Sequence, residues 1–197
     1  FKPEYIGNCY ICRLIIKELL MLNEIIKRNG ITFGITTGII SSLITASIYA
    51  IDLNLFTSWW IGILSIATYL TIGIVLLSKT KKELKGVFPF KDAFTTYFIS
   101  AVIGILISVA FNIILFNIID PSAKDAVKDL TIKYTVNMMQ KFGTPASAIN
   151  EAIAKLKEND PYSVVELLKG SIFSIVFSSI FGLVMAAFFK SKPSSQE

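Results

Sequence analysis

AFTTYFISAVIGILISVAFNIILFNII, from Ala93 to Ile119, holds no charged residue. A helix crossing a hydrocarbon core of about 30 Å needs roughly 20 mostly apolar residues, so this stretch is long enough to span a bilayer. Three more stretches read the same way: Gly30 to Ile51, Leu53 to Ser78 and Gly170 to Phe189. None alternates apolar with polar residues, as the strands of a membrane barrel do. Backbone amides in lipid must be satisfied within their own segment, which excludes an open sheet. The chain is therefore predicted to be all-α and polytopic. Its four transmembrane helices fall at about 30–51, 55–78, 93–119 and 166–189, with a helical extracytoplasmic loop between the third and fourth.

Composition agrees. Of 197 residues 53% are hydrophobic and 17% charged, against about 25% charged in soluble domains; the mean hydropathy is +0.64. Nothing divides the chain into separate cores, so residues 21–192 read as one membrane domain, followed by a tail at 193–197. The net charge of +5 is distributed as membrane topology requires rather than as a nucleic-acid footprint. Lys79, Lys81, Lys82, Lys85 and Lys91 crowd the second connection, whereas the first holds Asp52 and no cation. Cytoplasmic loops carry excess Lys and Arg, so both termini and the second connection are expected on the cytoplasmic side of a bacterial inner membrane. The lipid bilayer is the first expected partner, and no nucleic acid is expected.

The sequence begins at Phe1, and Met21-Leu22-Asn23-Glu24 reads as an ordinary start before the first crossing. Residues 1–20 are accordingly treated as an extension outside the domain. An alternative stands beside this: Ile15, Leu19, Leu22 and Ile26 share a helical face, which with nearby cations fits an interfacial helix. Cys9 and Cys12 form a C-x-x-C in the same region, but the chain has no third Cys and no His to complete a zinc site. No metal and no other cofactor is expected.

Small residues recur at every fourth position of the first crossing: Gly30, Gly34, Gly38, Ser42, Ala46 and Ala50. The third repeats the pattern with Ser100, Gly104, Ser108 and Asn112, and the fourth with Gly170, Ser174, Ser178, Gly182 and Ala186. Such stripes let helix backbones approach closely, which in lipid replaces the hydrophobic drive to associate. They are expected to pack the helices of one chain against each other; a dimer through Gly30 to Ala50 is the alternative. Trp59, Trp60, Tyr49 and Tyr162 are read as one aromatic belt, and Phe88, Phe90, Tyr97, Phe188 and Phe189 as the other. Asn112 is the most polar side chain well inside a crossing and is expected to bond to a neighbouring helix.

Two connections remain. The lysines between the second and third crossings are read as an anchor to the anionic leaflet. The segment from Asp120 to Lys169, with seven Lys and seven acidic residues, is too long for a bare loop. Val127, Leu130, Tyr134 and Met138 fall at helical spacing, Gly143 stops that helix, Thr144-Pro145 starts another, and Asp160-Pro161 opens the fourth crossing. This segment is where an external partner is expected to touch.

Gly86-Val87-Phe88-Pro89-Phe90-Lys91-Asp92-Ala93-Phe94 leads directly into a crossing that Asp120-Pro121 closes, and Gly170-Ser171-Ile172 opens one that ends in Phe189-Lys190-Ser191-Lys192. In these features the chain resembles an uncharacterised bacterial family of four-helix integral membrane proteins, a domain of unknown function. The resemblance covers about Met21 to Lys192. It implies the same four-crossing topology and carries over no activity or site.

No crossing contains an Asp, Glu, His or Lys at mid-depth, and no Pro breaks one. Proton-driven transport and broken-helix binding sites use such features. A Ser/His/Asp set cannot exist without His. The expected role is a non-enzymatic accessory or structural membrane subunit that contacts another protein. The alternative is a small self-associating transporter or channel, with Ser108 and Asn112 along its path.

Overall fold

A computed structural model describes residues 10–158 and 162–191, with side chains from residue 24 onward. Among the described residues there are six α-helices and no strand: α1 (Tyr10–Ile51), α2 (Trp59–Glu83), α3 (Phe90–Ile114), α4 (Pro121–Lys141), α5 (Ala146–Glu158) and α6 (Val164–Phe189). Four segments are long and apolar enough to cross a membrane: Glu24–Ile51, Trp59–Glu83, Phe90–Ile119 and Val164–Phe189. Most of each lies uncovered by the rest of the chain, with Leu43, Ile63, Leu106, Phe173 and Val176 each at least half exposed. A water-soluble protein does not carry apolar surface on that scale. This is a multi-pass membrane protein.

The central element is α3. Small residues bring α1 alongside it in parallel: Gly30 faces Ile99, Gly34 faces Ile103 and Gly38 faces Ile107. Antiparallel to α3 runs α6; towards one end Ser171 is buried, and at the other Gly182 meets Tyr97 and Ala186 is fully buried. That end, the lysine end, also holds the lysine-rich α2–α3 turn; the opposite end, carrying α4 and α5, is the loop end. At the lysine end one cluster joins all four crossings: Ile26 from α1, Leu77 and Leu84 from α2, Phe88 and Ala93 at the start of α3, and Met185 and Ala186 from α6.

The ends of the helices correct several expectations. Residues Leu53–Thr57 form a separate 3-10 turn and not the start of the second crossing. The Asp52 side chain accepts the Asn54 N–H at 2.9 Å, a local bond that competes with the helix, which then begins at Trp59. At the other boundary, α1 runs without a break from Tyr10, and its part from Glu24 is the first crossing. Cys9 and the Asp160-Pro161 start signal lie outside the described residues; α6 begins at Val164, capped by Ser163. Gly143, at φ 69°, does end α4, and the Thr144 N–H reaches back to the Met139 carbonyl at 3.0 Å.

Directly after α3 the helix widens into a π turn, Leu115–Ile119, closed by the Asp120 N–H on the Leu115 carbonyl at 2.9 Å. The extra residue lets the adjacent Leu115 and Phe116 both be buried. Phe116 packs on Phe56 and Tyr162, with ring centroids 5.9 and 4.7 Å away. The belt assignments change accordingly. Trp59 and Trp60 are exposed as expected, but Phe88 is fully buried and Tyr97 is wedged between Gly73 and Gly182. Neither is free to sit among headgroups.

Candidate functional site in the cleft between α2, α3 and α6

Between α2, α3 and α6 lies a cleft of about 490 Å³ beside the middle of α3. From α2 come Ile66, Tyr69, Leu70 and Gly73; from α3, Tyr97, Ser100, Gly104 and Ser108; from α6, Phe173, Ser174, Phe177, Ser178 and Phe181. No charged side chain lines it. Volume and lining fall in the range of small-molecule sites, which are mostly apolar with a few convergent polar groups. The lining holds no carboxylate, amine or imidazole, and its titratable groups are the phenols of Tyr69 and Tyr97.

The small residues of the three stripes have different fates. On α1, Gly30, Gly34 and Gly38 are buried against α3, whose Gly104 in turn faces Thr37. Ser42 donates to the Gly38 carbonyl at 2.8 Å and Ala46 is half-buried. The part of this stripe richest in glycine is thus covered by the chain itself. On α6 only Gly182 and Ala186 are packed; Ser174 and Ser178 line the cleft, and a Cβ at Gly170 would meet nothing. Ser100 and Ser108 of α3 border the cleft as well. Asn112 does not bond across to a neighbour: its amide donates to the Ser108 carbonyl, one turn back on its own helix, at 2.8 Å. The cross-helix bond is made by Ser108 itself, whose hydroxyl lies 3.0 Å from that of Ser41, to which Tyr69 also donates at 2.9 Å.

Two polar networks close the ends of the bundle. At the lysine end the buried Asn29 amide donates to Thr80 Oγ1 at 3.2 Å and to Glu83 Oε2 at 2.9 Å. Arg28 pairs with the same Glu83 oxygen at 2.9 Å. Of the five lysines there, Lys79, Lys82, Lys85 and Lys91 are exposed and Lys81 is half-buried; the Lys79 ammonium sits 5.5 Å from the centre of the Phe33 ring. Composition pointed to these lysines, but Asn29 and Thr80 carried no signal beyond two polar residues near the ends of apolar stretches. Tyr97 could have been found, since it shares a helix face with Ser100, Gly104 and Ser108.

At the loop end Asp120 accepts the Tyr49 hydroxyl at 2.9 Å and the N–H groups of Ser122 and Ala123 at 3.1 Å, capping α4. Asn117 ties the same corner to α6 by donating to the Tyr162 carbonyl at 3.0 Å. The Ser122 hydroxyl, then Tyr49 and the Ala123 N–H, hold the Asp120 carboxyl below its ordinary range. A carboxylate lowered in the folded state stabilises above its unfolded pKa, and that contribution is lost as pH falls through the folded value. Asp120→Ala is therefore expected to melt earlier than wild type at pH 7, with the gap closing only below the ordinary carboxylate range. Thermal melts in detergent from pH 7 to pH 3 check this, and a gap that is unchanged at pH 3 excludes the assignment.

The model of a family described as "Protein of unknown function (DUF4199)" matches residues 32–191. The chain belongs to that family. No curated protein and no solved structure matches it. The DUF4199 match takes in most of the first crossing, the other three, the cleft and both loop-end helices. It also takes in Gly86 to Phe94, the run on which the resemblance rests. Among the described residues no three His, Cys, Asp or Glu side chains are grouped to hold a metal ion.

Proposed function

We propose that this DUF4199 protein is a non-enzymatic accessory subunit of a bacterial cytoplasmic membrane, with the lysine end inside and α4–α5 outside, where they meet a partner protein. The orientation follows from the lysines of the α2–α3 turn, by the positive-inside rule. The observation that carries the partner is a stripe along α4 and the residue that caps its end. Tyr134, Met138 and Phe142 follow one another at four-residue spacing, lie outside the four crossings and are all exposed, Phe142 by 80%. Only the first two turns of α4 are anchored on the bundle, through Ala123 and Val127. The rest projects past it with α5 alongside, the Lys128 ammonium donating to the Lys157 carbonyl at 2.8 Å.

Exposed apolar stripes on a segment outside the bilayer mark contact surfaces. The even balance of lysines and acids over the whole segment from Asp120 to Lys169 favours a protein over an anionic lipid surface. The charge-free cleft and the hydrogen-bonded networks at both ends support a binding role over catalysis. The self-associating transporter has less support, because Ser108 and Asn112, expected along its path, are engaged within the bundle.

Mild crosslinking in native membranes, affinity purification of a tagged chain and mass spectrometry test the proposal. A stoichiometric second protein is expected with the wild type and is expected to be lost with Tyr134→Ser, Met138→Ser and Phe142→Ser combined. Recovery of the chain alone, or only as a multimer of itself, rejects the accessory-subunit reading.

A further inference from the structure

We propose that the cleft between α2, α3 and α6 binds a lipid-soluble quinone: a planar, uncharged ring with carbonyl oxygens on opposite edges and an apolar tail. The inference is independent of the partner at α4. Its starting point is a group of hydroxyls. Tyr97, Ser100, Ser174 and Ser178 all line the cleft, and none has a hydrogen-bond partner among the described residues. Several other hydroxyls of the crossings are engaged: those of Ser42, Ser65, Thr71 and Thr80, and that of Thr37 at the border of the cleft, each donate to the carbonyl four residues back. The four in the cleft are not sealed off either, because no fully buried side-chain oxygen or nitrogen among the described residues lacks a partner. They face open space.

That space lies near the middle of the span Phe90–Ile119, with Ser100 and Ser108 on either side of its centre. Water does not reach such depth to satisfy a hydroxyl, and an unmet one is unfavourable in hydrocarbon. An acyl chain fills the volume and leaves every donor unmet. A phospholipid headgroup needs opposite charge, and the walls have none. Its ester groups also belong at the interface and not at this depth. An uncharged ring bearing two carbonyl acceptors meets both requirements, and the rings of Tyr97, Phe173, Phe177 and Phe181 supply flat apolar walls for it. Lateral access is open, since the lining residues Phe173, Phe177 and Phe181 are themselves exposed.

The test uses the purified full chain in lipid nanodiscs, titrated with a benzoquinone carrying a decyl tail and, in parallel, with decylbenzene. Bound ligand is measured after the free ligand is removed. Saturable binding of the quinone is expected, at least tenfold tighter than that of decylbenzene. Ser174→Ala with Ser178→Ala, two changes that leave the packing of α6 intact, is expected to weaken quinone binding roughly tenfold and leave decylbenzene unchanged. Ser179→Ala, whose hydroxyl donates to the Ile175 carbonyl at 2.7 Å, is the control and is expected to bind as wild type. Equal affinity for the two ligands, no saturable binding of the quinone, or an unaffected Ser174/Ser178 variant overturns the proposal.

Discussion

Gly34→Leu is expected to unfold in mixed micelles at a clearly lower SDS fraction than wild type, and Gly62→Leu at the wild-type fraction. Both glycines lie inside crossings and both substitutions make a helix locally better. They differ in what a side chain meets. A Cβ at Gly34 would stand 2.8 Å from Ile103 Cβ and 2.9 Å from the Ser100 carbonyl; at Gly62 it would meet nothing within 4 Å. The Ile103 atom is a branch point fixed close to the backbone, so it cannot swing away as the end of a long side chain could. The helices must separate, and the neighbouring close approaches at Gly30 and Gly38, where an added Cβ would stand 2.9 Å from Ile99 and 2.6 Å from Ile107, separate with them. Overpacking of a tight contact typically costs about 1–3 kcal/mol. Here the upper part of that range is expected, because association in lipid rests on this close packing. Circular dichroism against SDS mole fraction measures it. If Gly34→Leu and Gly62→Leu unfold together, the α1–α3 contact is not what holds the bundle.

That contact was partly legible in the sequence. Four charge-free stretches fixed the number of crossings, since length and apolarity alone decide whether a segment can span a bilayer. The four-residue spacing of Gly30, Gly34 and Gly38 marked a close-approach face. Spacing along one helix cannot say which other helix fills the face, however, and three crossings carried comparable stripes. The choice of α3 depends on Ile99, Ile103 and Ile107 entering the hollows left by those glycines. In α6 the middle of the same kind of stripe has another setting: Ser174 and Ser178 border a cleft, a matter of tertiary geometry with no local signature.

Polar residues were read less well for a related reason. Depth made Asn112 conspicuous, yet a helical amide can always return to a carbonyl one turn back, and that is what Asn112 does. Ser41 and Tyr69, individually unremarkable, make the cross-helix bonds. At the loop end the Asp120-Pro121 pair was legible as a boundary, because Pro fits the first turn of a helix. That the same carboxylate also accepts from Tyr49 requires α1 to arrive beside it. Sequence patterns thus located the helices and their caps. Pairings between helices far apart in the chain appeared only once the bundle was assembled.

Phe88→Ala is expected to destabilise the protein by about 3–5 kcal/mol, and Phe90→Ala by much less. The two rings are two residues apart in the run Gly86 to Phe94. One is fully buried and the other 40% exposed. Their separation comes from the turn before them: Lys85 and Gly86 take φ values of 52° and 87°, ending α2, and the Gly86 N–H returns to the Lys81 carbonyl at 2.9 Å. This left-handed geometry, easy for glycine, swings Phe88 under the bundle and leaves Val87 outside. There Phe88 completes the cluster that joins all four crossings. Its backbone is also clipped to the end of α6: the Phe88 N–H donates to Ser191 Oγ at 3.0 Å, and the Ser191 N–H donates to the Phe88 carbonyl at 2.8 Å. Removing the ring empties the cluster where α1, α2, α3 and α6 meet, while the two backbone bonds remain. Ser191→Ala keeps the ring and one of the two bonds, so a loss of only about 1 kcal/mol is expected. SDS unfolding of the three variants ranks them, and equal losses for Phe88→Ala and Phe90→Ala would show that the turn does not hold the helices together. The expected order, with Phe88→Ala far ahead, gives the run that carries the family resemblance a structural role, that of fastening the lysine end of the bundle.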